Sequence, residues 1–157
     1  MPSFFFWLSF LHLLNPSIPT FTGHKTCKAV PNTRSWPPES AWTALNSSIS
    51  GHLLKHLPPS SVCDSGLPVY NNATCVKVFS QYRDALFHAQ DPVSVGWPNW
   101  GNDACLPTTM VPCNLEQFPV YVVNASEKQH VQAGVNYARN HNVRLIVKGT
   151  GLDFLGR

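Results

Sequence analysis

Charge is scarce in this chain. Only 12% of its 157 residues are Asp, Glu, Lys or Arg, and the formal net charge is +3. The Lys and Arg residues are scattered, with no basic run and no interleaving of arginine with aromatics. Such a surface lacks the electrostatic footprint of a nucleic-acid binder. Other signatures are missing too. No Cys-x-x-Cys pair is present, so the usual zinc spacing is excluded. Of the seven histidines (12, 24, 52, 56, 88, 130 and 141), His52 and His56 stand four apart, as a metal pair on a helix would. No third ligand accompanies them, and surface histidines are the simpler reading. There is no Gly-x-Ser-x-Gly elbow for a hydrolase and no Walker lysine-serine loop. The apolar stretch Phe4 to Leu14 is too short to span a bilayer as a mature helix.

That stretch has the length of a signal-peptide core. The proline-broken Asn15-Pro16-Ser17-Ile18-Pro19-Thr20 follows it, which places cleavage between about Pro19 and His24. Residues 1–23 are therefore read as a signal peptide, with no membrane segment left after its removal. Secretion is supported independently by three acceptor sequons, at Asn46, Asn72 and Asn124. Cysteine usage agrees. Cys63 and Cys75 flank one turn-rich loop and Cys105 and Cys113 another. Each loop is short enough to close as a local disulfide in an oxidising compartment. Five cysteines leave Cys27 over.

Fourteen prolines beside so few charges predict an irregular, loop-rich first two-thirds. Residues 24–38 form an extended, proline-bearing lead-in. Trp42, Leu45, Ile49, Leu53 and Leu54 recur at helical spacing, predicting an amphipathic helix from Glu39 to Leu57, interrupted near Gly51. A second helix is predicted over Cys75–Ala89, with Val78, Phe79, Tyr82 and Leu86 on one face. The stretch from Gln90 to Phe118 reads as loop or short strands.

Beyond it, Pro119–Val123 reads as a strand. Ser126-Glu127-Lys128-Gln129 reads as a capping box opening a helix, whose buried face carries Val131, Val135 and Ala138 and which Asn140-His141-Asn142 closes. Residues 143–148 form a second strand. Strand, helix and strand within about thirty residues make a βαβ unit, with parallel strands and a right-handed crossover. The glycine-rich Lys148-Gly149-Thr150-Gly151-Leu152-Asp153-Phe154-Leu155-Gly156-Arg157 leaves the carboxyl end of that strand, where open α/β units bind ligands. Glycine takes positive φ and has no Cβ to bar close approach, so such a loop can turn backbone N–H groups toward an anion.

Three stretches together, Tyr121–Ser126, Val131–Arg139 and Val147–Arg157, resemble secreted fungal FAD-linked oxidases of the vanillyl-alcohol oxidase/PCMH superfamily, in wording close to isoamyl-alcohol-oxidase-like and berberine-bridge-like members. The resemblance extends upstream to Ser35–Trp42 and the four cysteines from Cys63 to Cys113. It implies an α+β fold, the N-terminal part of a PCMH-type FAD-binding domain: a helical, disulfide-bearing extension over 24–116, then one βαβ unit in 117–157. It also implies FAD as cofactor, with the pyrophosphate wrapped by Lys148, Gly149, Thr150, Gly151, Asp153, Gly156 and Arg157. Thr150 would add a hydroxyl and Lys148 and Arg157 positive charge. Asp153 would brace the loop, since a carboxylate against phosphate repels it.

The chain departs from the family pattern at two places. Leu152 stands where the family usually has the histidine that bonds covalently to the flavin, so no histidyl link can form. The usual Cys-x-Cys…Cys cluster reads Cys27, Ala29 and Ser35, which accounts for the odd thiol. The substrate domain and the catalytic groups of the family follow this loop. The expectation is therefore a truncated FAD-linked oxidoreductase, inactive as these 157 residues, without catalytic residues or metal of its own. In full length it would oxidise a small molecule, with secondary metabolites among the candidates, using FAD and O₂. The alternatives are the N-terminal portion of an active secreted oxidase, or a small secreted interaction protein using the disulfide loops, Trp97 and Trp100.

Overall fold

A computed structural model describes residues 27–152, apart from the side chain of Trp100. The proposed signal peptide lies outside the described residues. Four α-helices and one short sheet are present: α1 (Glu39–Ser48), β1 (Leu53–Leu54), α2 (Asn72–Gln81), α3 (Ala85–Gln90), β2 (Val122–Val123) and α4 (Lys128–Asn140). Three 3₁₀ turns (Pro59–Cys63, Pro98–Gly101 and Leu115–Gln117) punctuate the stretch between α1 and β2.

Helix α1 stops well short of Leu57. Ser50 and Gly51 both take positive φ, 54° and 86°, and the Gly51 amide donates back to Asn46 O at 2.9 Å. Two successive left-handed residues end a helix and reverse the chain. The Asn46 side chain completes the reversal by accepting the Leu53 amide at 3.0 Å. Leu53 and Leu54 thus form a strand, antiparallel to β2, with Leu53 opposite Val123 and Leu54 opposite Val122. Their apolar character fits both periods, so the helix expected beyond Gly51 is corrected to a turn and a strand. His52 and His56 consequently flank β1 and share no helix face.

The second predicted helix is two helices. Asn71 caps α2, its Oδ1 accepting the Thr74 amide at 2.8 Å, so α2 begins before Cys75. Asp84 caps α3 through the Leu86 amide at 2.9 Å, and its extended backbone separates the two. Cys75 and Val78 are buried, whereas Phe79 and Leu86, expected on the buried face, are 69% and 67% exposed.

The core lies between α1, α4 and the small sheet. Trp42, Leu45 and Ile49 are buried, and Trp36, Leu53, Tyr121, Val123, Ala133, Tyr137 and Val143 pack around them. Trp42 stacks on Tyr121 with centroids 4.2 Å apart and meets Tyr137 at 4.6 Å. Helix α4 begins one residue later than the capping box implies. Glu127 occupies the cap without a side-chain bond, and Ser126 Oγ instead lies 3.4 Å from His130 Nδ1. The face of α4 turned to the core carries His130, Ala133, Tyr137 and Ala138. Val131 and Val135 are half exposed. This face is rotated from the expected one because aromatic Tyr137 and buried His130, rather than the valines, meet the Trp42 cluster and His52.

Residues 143–148 follow in an extended path. Val143 bridges Ala29 in parallel, and Ala29 N donates to Asn142 O at 3.0 Å. Among the described residues no ladder continues the bridge, and Leu145, Ile146 and Val147 are exposed, Val147 by 80%. The first strand and helix of the expected βαβ unit are present, but the partner of β2 is β1 and not the segment after α4. A strand needs a neighbour for its backbone groups, and none of the described residues supplies one along 144–148. The expected disulfides are both formed, Cys63–Cys75 and Cys105–Cys113. Cys27 is free and exposed.

Candidate functional site

The glycine-rich loop is described as far as Leu152; Asp153, Gly156 and Arg157 lie outside the described residues. Its two described glycines differ. Among the described residues, a Cβ on Gly149 would meet nothing within 4 Å, which leaves its backbone room for a ligand to approach. Gly151 has φ +74°, and a Cβ would lie 2.6 Å from Lys148 Cε and 3.0 Å from Ser94 O. Only glycine fits that second position. Gly149 and Thr150 are exposed, and Gly151 and Leu152 are half-buried.

The half-buried end is docked on the loop after α3. Gly96 N donates to Gly151 O at 2.9 Å, and a Cβ on Gly96 would come within 2.6 Å of Leu152 Cδ2. Leu152 therefore packs as an apolar plug against a glycine, and it has no nitrogen with which to bond a flavin. Lys148 is docked as well. Its Nζ donates to His88 O at 2.9 Å and, more closely still, to Asp91 O. Burial holds the Lys148 ammonium below its ordinary pKa, with Asp91 opposing the shift.

The α3 loop that receives Lys148 is itself braced. Asp91 Oδ1 accepts the amides of Val93 and Ser94 at 3.0 and 2.7 Å, while Oδ2 meets His56 Nε2 at 2.9 Å. Buried His88 has both ring nitrogens engaged, Nε2 with Tyr82 O and Nδ1 with Ser94 Oγ, each at 2.6 Å. A carbonyl can only accept, so Nε2 donates to Tyr82 O. Residues 56, 88, 91, 94 and 96 thus support the loop; of these only His56 stood out in the sequence, and for a different reason, its spacing from His52. The Asp91-Pro92-Val93-Ser94 turn was the one local sign, since Asp bonds amides two and three residues ahead.

Elsewhere the chemistry is sparse. Among the described residues no cluster of His, Cys, Asp or Glu can hold a metal, and no helix is long and apolar enough to cross a membrane. A crevice of about 30 Å³ under Pro58, Ser60, Tyr82 and Phe118 has room for a water or two. A shallow groove between α1 and α4, lined by Ala44, Ser48, Asn136 and Tyr137 among others, is open to solvent. Trp97 is partly exposed.

A plug of leucine, an open glycine and a braced lysine thus lie together on the carboxyl side of an extended segment, on a helical, disulfide-bearing base. No protein-family profile matches the chain. VAO-type flavoprotein oxidase VAO615 of Thermothelomyces thermophilus is 34% identical over 157 residues, covering 96% of this chain and 27% of that protein. FAD-linked oxidoreductase ZEB1 of Gibberella zeae is 33% identical, covering 83% of this chain and 23% of that protein. The crystal structure of the VAO-type flavoprotein MtVAO615 from Myceliophthora thermophila superposes with a TM-score of 0.76 and 35% identity, over 83% of this chain and 25% of that one. The chain belongs with the N-terminal part of the fungal VAO-type FAD-linked oxidoreductases. It spans about a quarter of the length of these relatives. The α+β class and the family expected from the glycine loop and its flanking runs agree with this membership, and FAD is the cofactor of the family.

Proposed function

We propose that this chain forms one part of an FAD site, the part that receives the pyrophosphate, in an oxidoreductase acting on a small molecule. The observation that carries the reading is the open backbone at Gly149 and Thr150, held beside a Gly151 that tolerates no side chain. Among the described residues the amides of Gly149 and Thr150 donate to no backbone carbonyl. They are therefore available to an anion such as a diphosphate, in the manner of a backbone nest. Asp153, Gly156 and Arg157 would complete the loop. Held by such a loop, FAD would supply two-electron redox chemistry between the substrate and O₂. This chain's residues bind and orient: the loop amides hold the diphosphate, Thr150 offers a hydroxyl, and Leu152 leaves the flavin without a histidyl bond.

These 157 residues alone would not turn over. A flavin ring needs walls that exclude water, and the apolar surface at Val131, Val135 and 145–147 is uncovered among the described residues. Residues 1–23 would direct the chain to the secretory pathway, 24–116 form the disulfide-bearing extension and 117–157 the FAD-binding portion. N-glycans would sit at Asn46, Asn72 and Asn124. The test is expression of this chain with FAD, desalting, and a visible spectrum. Loss of the flavin bands is expected, together with weak, saturable binding of ADP or inorganic pyrophosphate by calorimetry. Retained yellow flavin with oxidase activity would overturn the inactive part of the reading, and absence of any diphosphate binding would overturn the rest.

A further inference from the structure

We infer that Lys148 is a positioning residue for the glycine loop and does not contact the diphosphate. The inference rests on the reading of that loop as a diphosphate site, and it reassigns the one described cation within it. The geometry leaves Lys148 little choice. Its Nζ sits where two carbonyls converge, His88 O at the end of α3 and Asp91 O just beyond it. Carbonyls in the last turn of a helix lack intrahelical donors, and a cation there satisfies them and complements the helix dipole. α3 spans six residues and has Asp91 as its C-cap, so its terminal carbonyls lie close together.

The receiving loop is held rigid by groups whose hydrogen bonds are already made. The Asp91 carboxylate ties down the Val93 and Ser94 amides and His56. His88 bonds Ser94 Oγ, and Gly96 N reaches across to Gly151 O. Lys148 and Gly151 therefore grip the same short stretch, 88–96, from two points, with Gly149 and Thr150 arched between them and exposed. An ammonium swung out to a phosphate would abandon two carbonyls, one at the end of α3 and one at its cap. The arch keeps its amides outward because its two feet are fixed, and Lys148 is one of the feet.

Hydrogen exchange followed by mass spectrometry on the 157-residue chain tests this. Lys148→Met keeps the stem and removes the donors. It should speed exchange at Val93, Ser94 and Gly96, whose amides are bonded to Asp91 Oδ1 and Gly151 O, by about tenfold, the scale of one lost charged hydrogen bond, with α1 and α4 unchanged. Lys148→Arg keeps a phosphate-binding cation but replaces a point donor with a planar fork. Its affinity for inorganic pyrophosphate should follow loop protection rather than charge. Should Lys148→Met disturb the whole chain, Asp91→Ala loosens the same receiving loop from the other side, and the Gly96 amide, bonded to Gly151 O, should again exchange faster. Unchanged exchange at Gly96 in both variants would overturn the proposal. So would a Lys148→Arg chain with full pyrophosphate affinity and an unprotected loop. If the parent chain binds no pyrophosphate yet Lys148→Met speeds exchange in 93–96, the clasp stands and the diphosphate reading falls.

Discussion

The two halves of this molecule are held by different physics. Between α1 and α4, Trp42, Leu45 and Ile49 pack against Trp36, Tyr121 and Tyr137, and the aromatic overlap adds to the area removed from water. From Pro58 to Phe118 there is little apolar core. Two disulfides, a buried His88 and the Asp91 brace hold the chain there, with Lys148 reaching in from the far end of the sequence. A packed cluster tolerates loss of one hydrogen bond but not loss of a large ring. A loop region stapled by covalent and polar contacts behaves the other way. The glycine loop stands on the second kind of support, so its geometry depends on polar contacts rather than on the core.

The largest expected break is Trp42→Ala, which removes the centre of the aromatic cluster and should cost about 3–5 kcal/mol. Urea unfolding followed by far-UV circular dichroism would measure it, with the disulfide-bearing half least affected in hydrogen exchange. Replacing Cys63 and Cys75 together by serine releases a loop with a sequence separation of 12. The cost should be about 3 kcal/mol, falling first on α2 and the Pro59–Cys63 turn, and an unchanged urea midpoint would refute the staple.

Alkaline titration should separate the halves by sign. Burial, reinforced by Tyr121 and Glu39, pushes the Tyr137 hydroxyl up to about 12. An unfolded tyrosine releases its proton near 10, so between about pH 10 and 12 the folded state holds the extra proton. The Tyr137 contribution is therefore whole below pH 10 and lost as pH rises through 12. Lys148 runs opposite: its folded pKa is lowered by burial, the unfolded chain binds more protons between that value and 10.5, and stability rises with pH across that window. Tyr137→Phe should flatten the fall and Lys148→Met the rise; matching slopes in parent and variants would contradict both. Among the described residues the Tyr137 hydroxyl is buried without a partner, so Tyr137→Phe should be nearly neutral at pH 7.

Smaller effects sharpen the contrast. Asn71→Ala removes the α2 cap and should cost about 1 kcal/mol, read as a shift in the urea midpoint. Val147→Thr should fall within about 0.5 kcal/mol in this chain, because Val147 is largely exposed here.

Some of this architecture was legible from the residues. Short cysteine spacings bracketed by turn residues allow few pairings, and both local disulfides formed as expected. The glycine loop and its flanks pointed to the family through their resemblance to its members. Other features were ambiguous at the same level. Leu53 and Leu54 suit a helix or a strand, and the reversal at Ser50 and Gly51, sealed by Asn46, decided between them. Val131 and Val135 look like a core face by spacing, yet His130 and Tyr137 took that role because their rings fit against His52 and Trp42. Spacing records which residues share a face, not which face meets the larger partner.

Local rules were sufficient for whatever depends on neighbours along the chain: the disulfide loops, the leftover Cys27, and the presence of α2 and α4. Tertiary structure alone decided what Lys148 touches. Its partners lie 60 and 57 residues away, and they are backbone carbonyls, which every residue type carries. No side-chain pattern can announce a carbonyl at the end of a helix; only the fold brings one within reach of an ammonium.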